Sequence, residues 1–358
     1  MKTDRIRSEK LIRECIDRFA LDLSGLVVLT EAAGGNFMST PIIAALAGAR
    51  EVIAVTRDSP WGKAKDIIAD TVSWAEGLGL SNICTEIGIS AQAWSRADII
   101  TNLGFVRPIN RAAVDAMKPT AAVSLMWEPW EFRREDIDID ACREKGILVM
   151  GTDEGHPSLD FRRYVGLLCV KLLFEAGIEV NGCKILVASS GRFAKAIGQV
   201  LSAAGAQTAI VSPRETDCDG VQFIPSSLDG KECIERLARS DALVVAEHSH
   251  RDRLLAGSGS EWAGRIARLN PSIRVVHLCG RLDRKPLTEA GISITPAREP
   301  APGFMSVTTD YLGPRPVIEL HAAGLKVGEA VARARIKGLS VKEAAKAAAL
   351  VSPAAPLL

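Results

Sequence analysis

Short apolar runs alternate with segments of helical periodicity along almost the whole chain. The clearest block is Val180–Arg214, VNGCKILVASSGRFAKAIGQVLSAAGAQTAIVSPR. Ile185–Ala188 is an apolar run suited to a strand buried on both faces. After the small turn Ser189-Ser190-Gly191, Phe193, Ile197 and Leu201 recur at every fourth position, one face of an amphipathic helix. Gly205 stops that helix, and Thr208–Val211 makes a second strand. Such a unit sets a helix N-terminus at the end of a strand, where it suits a phosphate.

The alternation continues on both sides. Residues 4–21 read as a helix, Leu26–Thr30 as a strand, Ala32–Asn36 as a glycine turn, the stretch from Pro41 to Gly48 as a helix and Glu51–Thr56 as a strand. Gly34-Gly35 lacks the spacing of a phosphate loop, which leaves tight packing or a substrate loop as its use. Further strands are predicted near Asn82–Ile87, Asp98–Leu103, Ala121–Leu125 and Ile147–Met150, with helices between them, one over Asp138–Lys145. A long apolar helix over Leu159–Ala176 leads into the Val180 block. Strands Val221–Ile224, Ala242–Ala246, Ile273–Leu278 and Ile292–Ile294 follow, with helices over 230–239 and 261–268. Pro296–Pro316 reads as irregular, Leu320–Ile336 as a helix, and an Ala-rich tail holding Val341–Leu350 closes the chain. This order argues for an α/β protein with two Rossmann/flavodoxin-like domains, parallel doubly wound sheets and an interdomain cleft.

Composition narrows the class. With 358 residues, 47% of them apolar and 24% charged, the chain has the make-up of a globular protein of about two domains. A net charge of +1 without a basic cluster argues against a nucleic-acid partner. No apolar run has the length of a membrane span, so no membrane partner is expected. Met1–Asp22 reads as a charged amphipathic helix and not as a signal peptide, and the eight cysteines form no C-x-x-C pair. Both features point to reduced thiols in a cytoplasm.

Candidate chemistry gathers at the carboxyl ends of the predicted strands. Against G-x-G-x-x-G/A, the turn places Ser189, Gly191 and Ala194, so the first glycine is replaced. Ser190, Gly191, Arg192 and Phe193 are the candidate dinucleotide residues there. At the end of the second strand Ser212-Pro213-Arg214 stands where an NAD site usually has an acid, and it suits a 2′-phosphate, favouring NADP with NAD as the alternative. A solvated surface role for Arg214 is the other reading. Gly104 and Arg107, after one strand of the first half, and Trp127, Glu128 and Trp130, after the next, are candidate substrate residues. The tryptophans could equally be core packing. As a pocket wall they would favour a substrate larger than pyruvate, and one bearing an amine. His248 and His250 have the spacing of metal ligands, but no third ligand group accompanies them and no metal is expected. His277 reads as buried in its strand, and His156 as a residue of the crossover.

The order of these segments resembles the D-isomer-specific 2-hydroxyacid dehydrogenases. Asp138–Ile147 resembles the family's last helix-to-strand segment of the first domain, Val180–Val200 its nucleotide loop, and Ser240–Val245 and Pro271–Arg281 its following strands. Glu299-Pro300 resembles its Glu-Pro dipeptide, and His321 with the helix after it resembles its histidine region. The resemblance implies a substrate domain at 1–155, an interdomain helix at 156–178, a dinucleotide-binding Rossmann domain at 179–318, and a return helix with tail at 319–358. It implies Arg281 as the carboxylate anchor, His321 paired with Glu299 as the proton carrier, and His248 in a loop facing the nicotinamide. The implied activity is NAD(P)-dependent hydride transfer to the carbonyl of a 2-oxoacid or larger intermediate, in a homodimer. Reduction of an imine or biosynthetic intermediate on the same scaffold is one alternative, and a catalytically silent nucleotide-binding protein is another.

Overall fold

Residues 4–218, 220–248, 260–301 and 304–357 are described by the computed structural model of the chain. The chain divides into two units, one taking the residues up to Phe161 and from Gly313 onward, the other Arg162–Leu312.

Unit 1 begins with α1 (Arg5–Phe19), β1 (Val27–Glu31), α2 (Ser39–Leu46), β2 (Glu51–Thr56), α3 (Ala64–Gly77) and β3 (Ile83–Ile87). It continues through α4 (Ala91–Arg96), β4 (Ile99–Thr101), α5 (Arg111–Ala116), β5 (Ala122–Ser124), α6 (Ile139–Lys145) and β6 (Leu148–Thr152). Unit 2 holds α7 (Arg163–Glu175), β7 (Lys184–Ala188), α8 (Gly191–Ala203), β8 (Gln207–Ser212), β9 (Gln222–Pro225) and α9 (Lys231–Leu237). Its second half is β10 (Ala242–Ala246), α10 (Ser260–Leu269), β11 (Arg274–Cys279), α11 (Arg284–Glu289) and β12 (Ser293–Thr295). The chain then completes unit 1 with α12 (Pro314–Ile336), α13 (Val341–Val351) and β13 (Ala354–Pro356).

The unit 1 sheet has the order β13-β6-β5-β4-β1-β2-β3 and is parallel apart from β13, which pairs antiparallel with β6. Strand parity assigns its two faces. Val27, Leu29, Ile53, Val55, Ile100 and Val123 join α4, α5 and α6 in one core. On the opposite face α12 packs closely: a Cβ on Gly328 would lie 2.5 Å from Ile99 Cγ2, and one on Gly324 2.6 Å from Met126. Only glycine admits so near an approach of helix to sheet.

The unit 2 sheet has the order β12-β11-β10-β7-β8-β9, parallel throughout. Ile185, Val187, Val244 and Val276 face α7 and α8, while Leu186, Ala188, Leu243 and Val245 face α9 and α10. Both faces are covered, which is why these strands read as unbroken apolar runs. The order reverses between β7 and β10, the topological position where open α/β sheets bind ligands.

The predicted α/β class with parallel sheets is what the structure has. Three details differ. The helix expected from Leu159 begins at Arg163, because Asp160 takes a left-handed φ of 45° and ends any earlier helical run. Helix α12 starts at Pro314 and not at Leu320, with prolines in its first turn where their missing amides are not needed. Strand β13 lies in the Ala-rich tail and pairs Ala355 with Gly151.

Candidate functional site

In unit 2, β7 ends at Ala188, and Ser189-Ser190 turn the chain into α8. Gly191 opens that helix at φ 65°, a conformation that a side chain there would strain. Ser190 is the N-cap residue but provides no side-chain cap, since its hydroxyl donates to Glu247 Oε1 at 2.9 Å. The first-turn amides of α8 thus look out of the turn without a capping hydroxyl, in a helix of 13 residues. Ser189 is the residue that replaces the first glycine of the fingerprint, and its hydroxyl donates to Ala246 O at 2.7 Å, tying β7 to β10. Phe193 and His248 are buried and meet edge to face at 4.9 Å, so these two predicted residues come together behind the turn. Arg192 is exposed. His250 lies outside the described residues.

Ser212 and Arg214 also meet, the Arg214 amide donating to Ser212 Oγ at 3.2 Å. Around them is a small cavity at the ends of β7, β8 and β9, lined by Ser189, Ser212, Arg214, Ser226, Ser227 and Glu247. It combines four hydroxyls, a guanidinium and a carboxylate, a donor and acceptor set suited to a ribose and its phosphate.

In unit 1 the loop after β4 is organised by Glu31, the last residue of β1. This carboxylate is buried and accepts the Phe105 amide at 3.0 Å. Burial pushes its pKa up, against the opposing pull of that hydrogen bond and of Arg107 and Arg57. A Cβ on Gly104 would sit 3.5 Å from Glu31 Oε2. Arg107 pairs with Asp136 at 2.7 Å and lies over the Trp127 ring at 5.0 Å. The structure therefore brings Gly104, Arg107 and Trp127 into one cluster. Glu128 is buried and accepts from Trp130 Nε1. The cation over Trp127 is the chain's own Arg107, itself paired with Asp136, and it occupies one face of that indole.

The three residues implied for catalysis are split between the units. Arg281 and Glu299 are exposed in unit 2. His321 is buried on α12 in unit 1, its Nδ1 2.6 Å from Thr40 Oγ1 and its ring 5.9 Å from that of Phe37. Thr40 Oγ1 also lies 3.2 Å from Phe37 O, so its one hydroxyl proton is shared between the Phe37 carbonyl and the His321 ring. Burial alone lowers the His321 pKa to about 3, opposite to the rise that a partner carboxylate would produce. His277 is buried on β11 with Nε2 on Gly280 O at 3.1 Å, and burial lowers its pKa to about 4. His156 Nδ1 is 2.8 Å from Ser158 Oγ.

Sequence reasoning passed over Glu31, Ser226, Ser227 and Glu247, while Arg57 stood out only as the start of a polar loop, Arg57–Lys63, beyond a strand's carboxyl end. Glu247 had a readable signal: an acid directly after an apolar strand in Ala246-Glu247-His248. The others depend on pairings across the sheet that no local pattern encodes.

No protein-family model and no curated protein matches the sequence. Solved structures do share its fold. One subunit of the dipicolinate synthase from Bacillus subtilis superposes with a TM-score of 0.58 at 13% identity, covering 89% of this chain and 99% of that one. The corresponding protein of Bacillus halodurans gives 0.56 at 12%, covering 87% and 99%. D-lactate dehydrogenase with NAD+ from Lactobacillus jensenii gives 0.50 at 10%, covering 86% and 97%. The resemblance read from the sequence therefore holds at the level of the fold, which this chain shares with such proteins.

Proposed function

We propose that this chain is an NAD(P)-dependent oxidoreductase that transfers hydride to the carbonyl of a 2-oxoacid or a larger intermediate. The observation that carries the reading is the head of α8: a strand end, a left-handed Gly191 and first-turn amides left without a cap by Ser190. Ser190, Gly191 and Arg192 take the pyrophosphate, with Phe193 and His248 supporting the turn. Ser212 and Arg214 take a 2′-phosphate, which favours NADP over NAD, and Glu247 takes a ribose hydroxyl. Gly104, Arg107, Trp127, Glu128 and Trp130 form the substrate side. Arg281 anchors a carboxylate, while Glu299 and His321 serve the proton. A homodimer and a cytoplasmic location belong to the same reading. The test is titration with NADPH followed by its fluorescence, then loss of absorbance at 340 nm over a panel of 2-oxoacids. Absence of saturable NADPH binding overturns the proposal.

The surroundings of His321 favour a second reading of the chemistry. A neutral imidazole enclosed by Thr40 and Phe37 acts as a tie between α12 and α2, and proton transfer then falls to another group, as in reduction of an imine or another altered intermediate. His321→Gln separates the two. As the proton carrier, this histidine contributes about 10²–10⁴-fold to turnover. As a tie, it contributes to stability and leaves kcat nearly unchanged.

A further inference from the structure

We propose that unit 1 carries a binding site for a small organic carboxylate with an apolar body, in the cavity at the carboxyl ends of β2, β3 and β4. It shares Arg107 with the substrate side proposed above and to that extent rests on that reading, but it needs no dinucleotide, and every residue that builds it lies in unit 1. The cavity measures about 390 Å³, within the range of small-molecule sites. Its wall includes Ile89, Trp94, Val106 and Ala113, and its charged members are Arg57 and Arg107, with no Asp or Glu in the lining. That combination sets the ligand class. A bare inorganic anion would satisfy the guanidiniums but leave the apolar wall wet, and an amine would meet Arg57, a cation with no ion pair among the described residues, while Arg107 is balanced by Asp136.

Both guanidiniums are already held in place. Arg57 donates from Nη2 to Gly104 O at 3.1 Å and lies over the Phe105 ring at 5.5 Å, and no ion pair engages it among the described residues. Arg107 is fixed by Asp136 and the Trp127 face, and its buried Nε has no hydrogen-bond partner. Behind them the buried Glu31 pins the Gly104–Phe105 backbone from which both contacts hang. Donors held in place lose little freedom when a carboxylate arrives, which favours its capture.

The experiment is isothermal titration calorimetry of the full chain, without dinucleotide, against 3-phenylpropanoate, acetate and 2-phenylethylammonium. The expected result is saturable binding of 3-phenylpropanoate, binding of acetate weaker by about tenfold or more for want of the apolar contact, and none of the amine. Arg57→Ala, at an exposed side chain, weakens 3-phenylpropanoate by about tenfold through loss of one charge-assisted pair. Ala112→Trp, from an exposed position on α5 lining the cavity, fills the space and abolishes binding. Circular dichroism confirms that both variants are folded. No saturable heat with the acid, an equal response to the amine, or wild-type binding in both variants overturns the site. Because NADPH is absent throughout, none of these outcomes bears on the dinucleotide reading.

Discussion

His321 in unit 1 and His277 in unit 2 are both buried as neutral rings, and each makes its own unit sensitive to acid. Their folded pKa values, about 3 and about 4, lie below the ordinary 6.5. Between those limits the unfolded chain binds protons that the folded chain refuses, so stability is full above about pH 6.5 and falls as pH drops. Each histidine contributes a slope of about 1.4 kcal/mol per pH unit inside its window. Urea unfolding at a series of pH values is expected to show this loss, and His321→Gln to remove part of it. An unchanged slope in that variant would refute the neutral, enclosed assignment. Arg214 raises a separate question at the same scale. Arg214→Asp exchanges a cation for an acid beside Ser212, so NADPH affinity should fall and NADH affinity rise, read by fluorescence titration. Preference of the wild type for NADH would sink the 2′-phosphate role.

Helices in both units approach their neighbours through glycine. In unit 2, α7 and α8 pack with Gly166 against Val200, where an added Cβ would lie 2.6 Å from Val200 Cβ and 2.8 Å from Ala196 O. The second neighbour is backbone and cannot rotate away. Gly166→Val should therefore cost at least the roughly 1–3 kcal/mol typical of overpacking, read as a lowered denaturation midpoint. Gly35 behaves differently. It has a φ of 62°, and a Cβ there would meet nothing within 4 Å, so its use is conformational and the tight packing considered for Gly34-Gly35 does not describe it. Gly35→Ala is expected to cost only the roughly 1–2 kcal/mol of a left-handed residue. A loss as large as that of Gly166→Val would contradict this contrast.

At the scale of the whole molecule, each unit has its own sheet and its own buried core. Every residue proposed to hold the dinucleotide lies in unit 2. Hydrogen exchange with saturating NADPH should then gain protection at the head of α8 and at the ends of β8 and β9, since a bound ligand lowers local opening in proportion to its affinity. No change at Ser189–Phe193 would remove the phosphate assignment from that turn.

The sequence by itself determined the class of fold, because the governing signals are local. Unbroken apolar runs such as Ile185–Ala188 follow from strands covered on both faces, and the four-residue recurrence of Phe193, Ile197 and Leu201 follows from one buried helix face. The turn at Gly191 and the polar stretch at Ser212–Arg214 were legible for the same reason: each lies at the carboxyl end of a strand. Tertiary structure alone decided the rest. Ser190 meets Glu247 and Glu31 meets Phe105 only because β7 lies beside β10 and β1 beside β4, neighbours far apart in the chain. The short β13 has no pattern of its own and exists through pairing with β6. His321 sits in a helix either way, but its protonation depends on what encloses it: Phe37 and Thr40, which come from the other end of the chain. Burial, charge balance and hydrogen-bond partners are sums over neighbours in space, so the chemistry of these groups is set after the chain has folded.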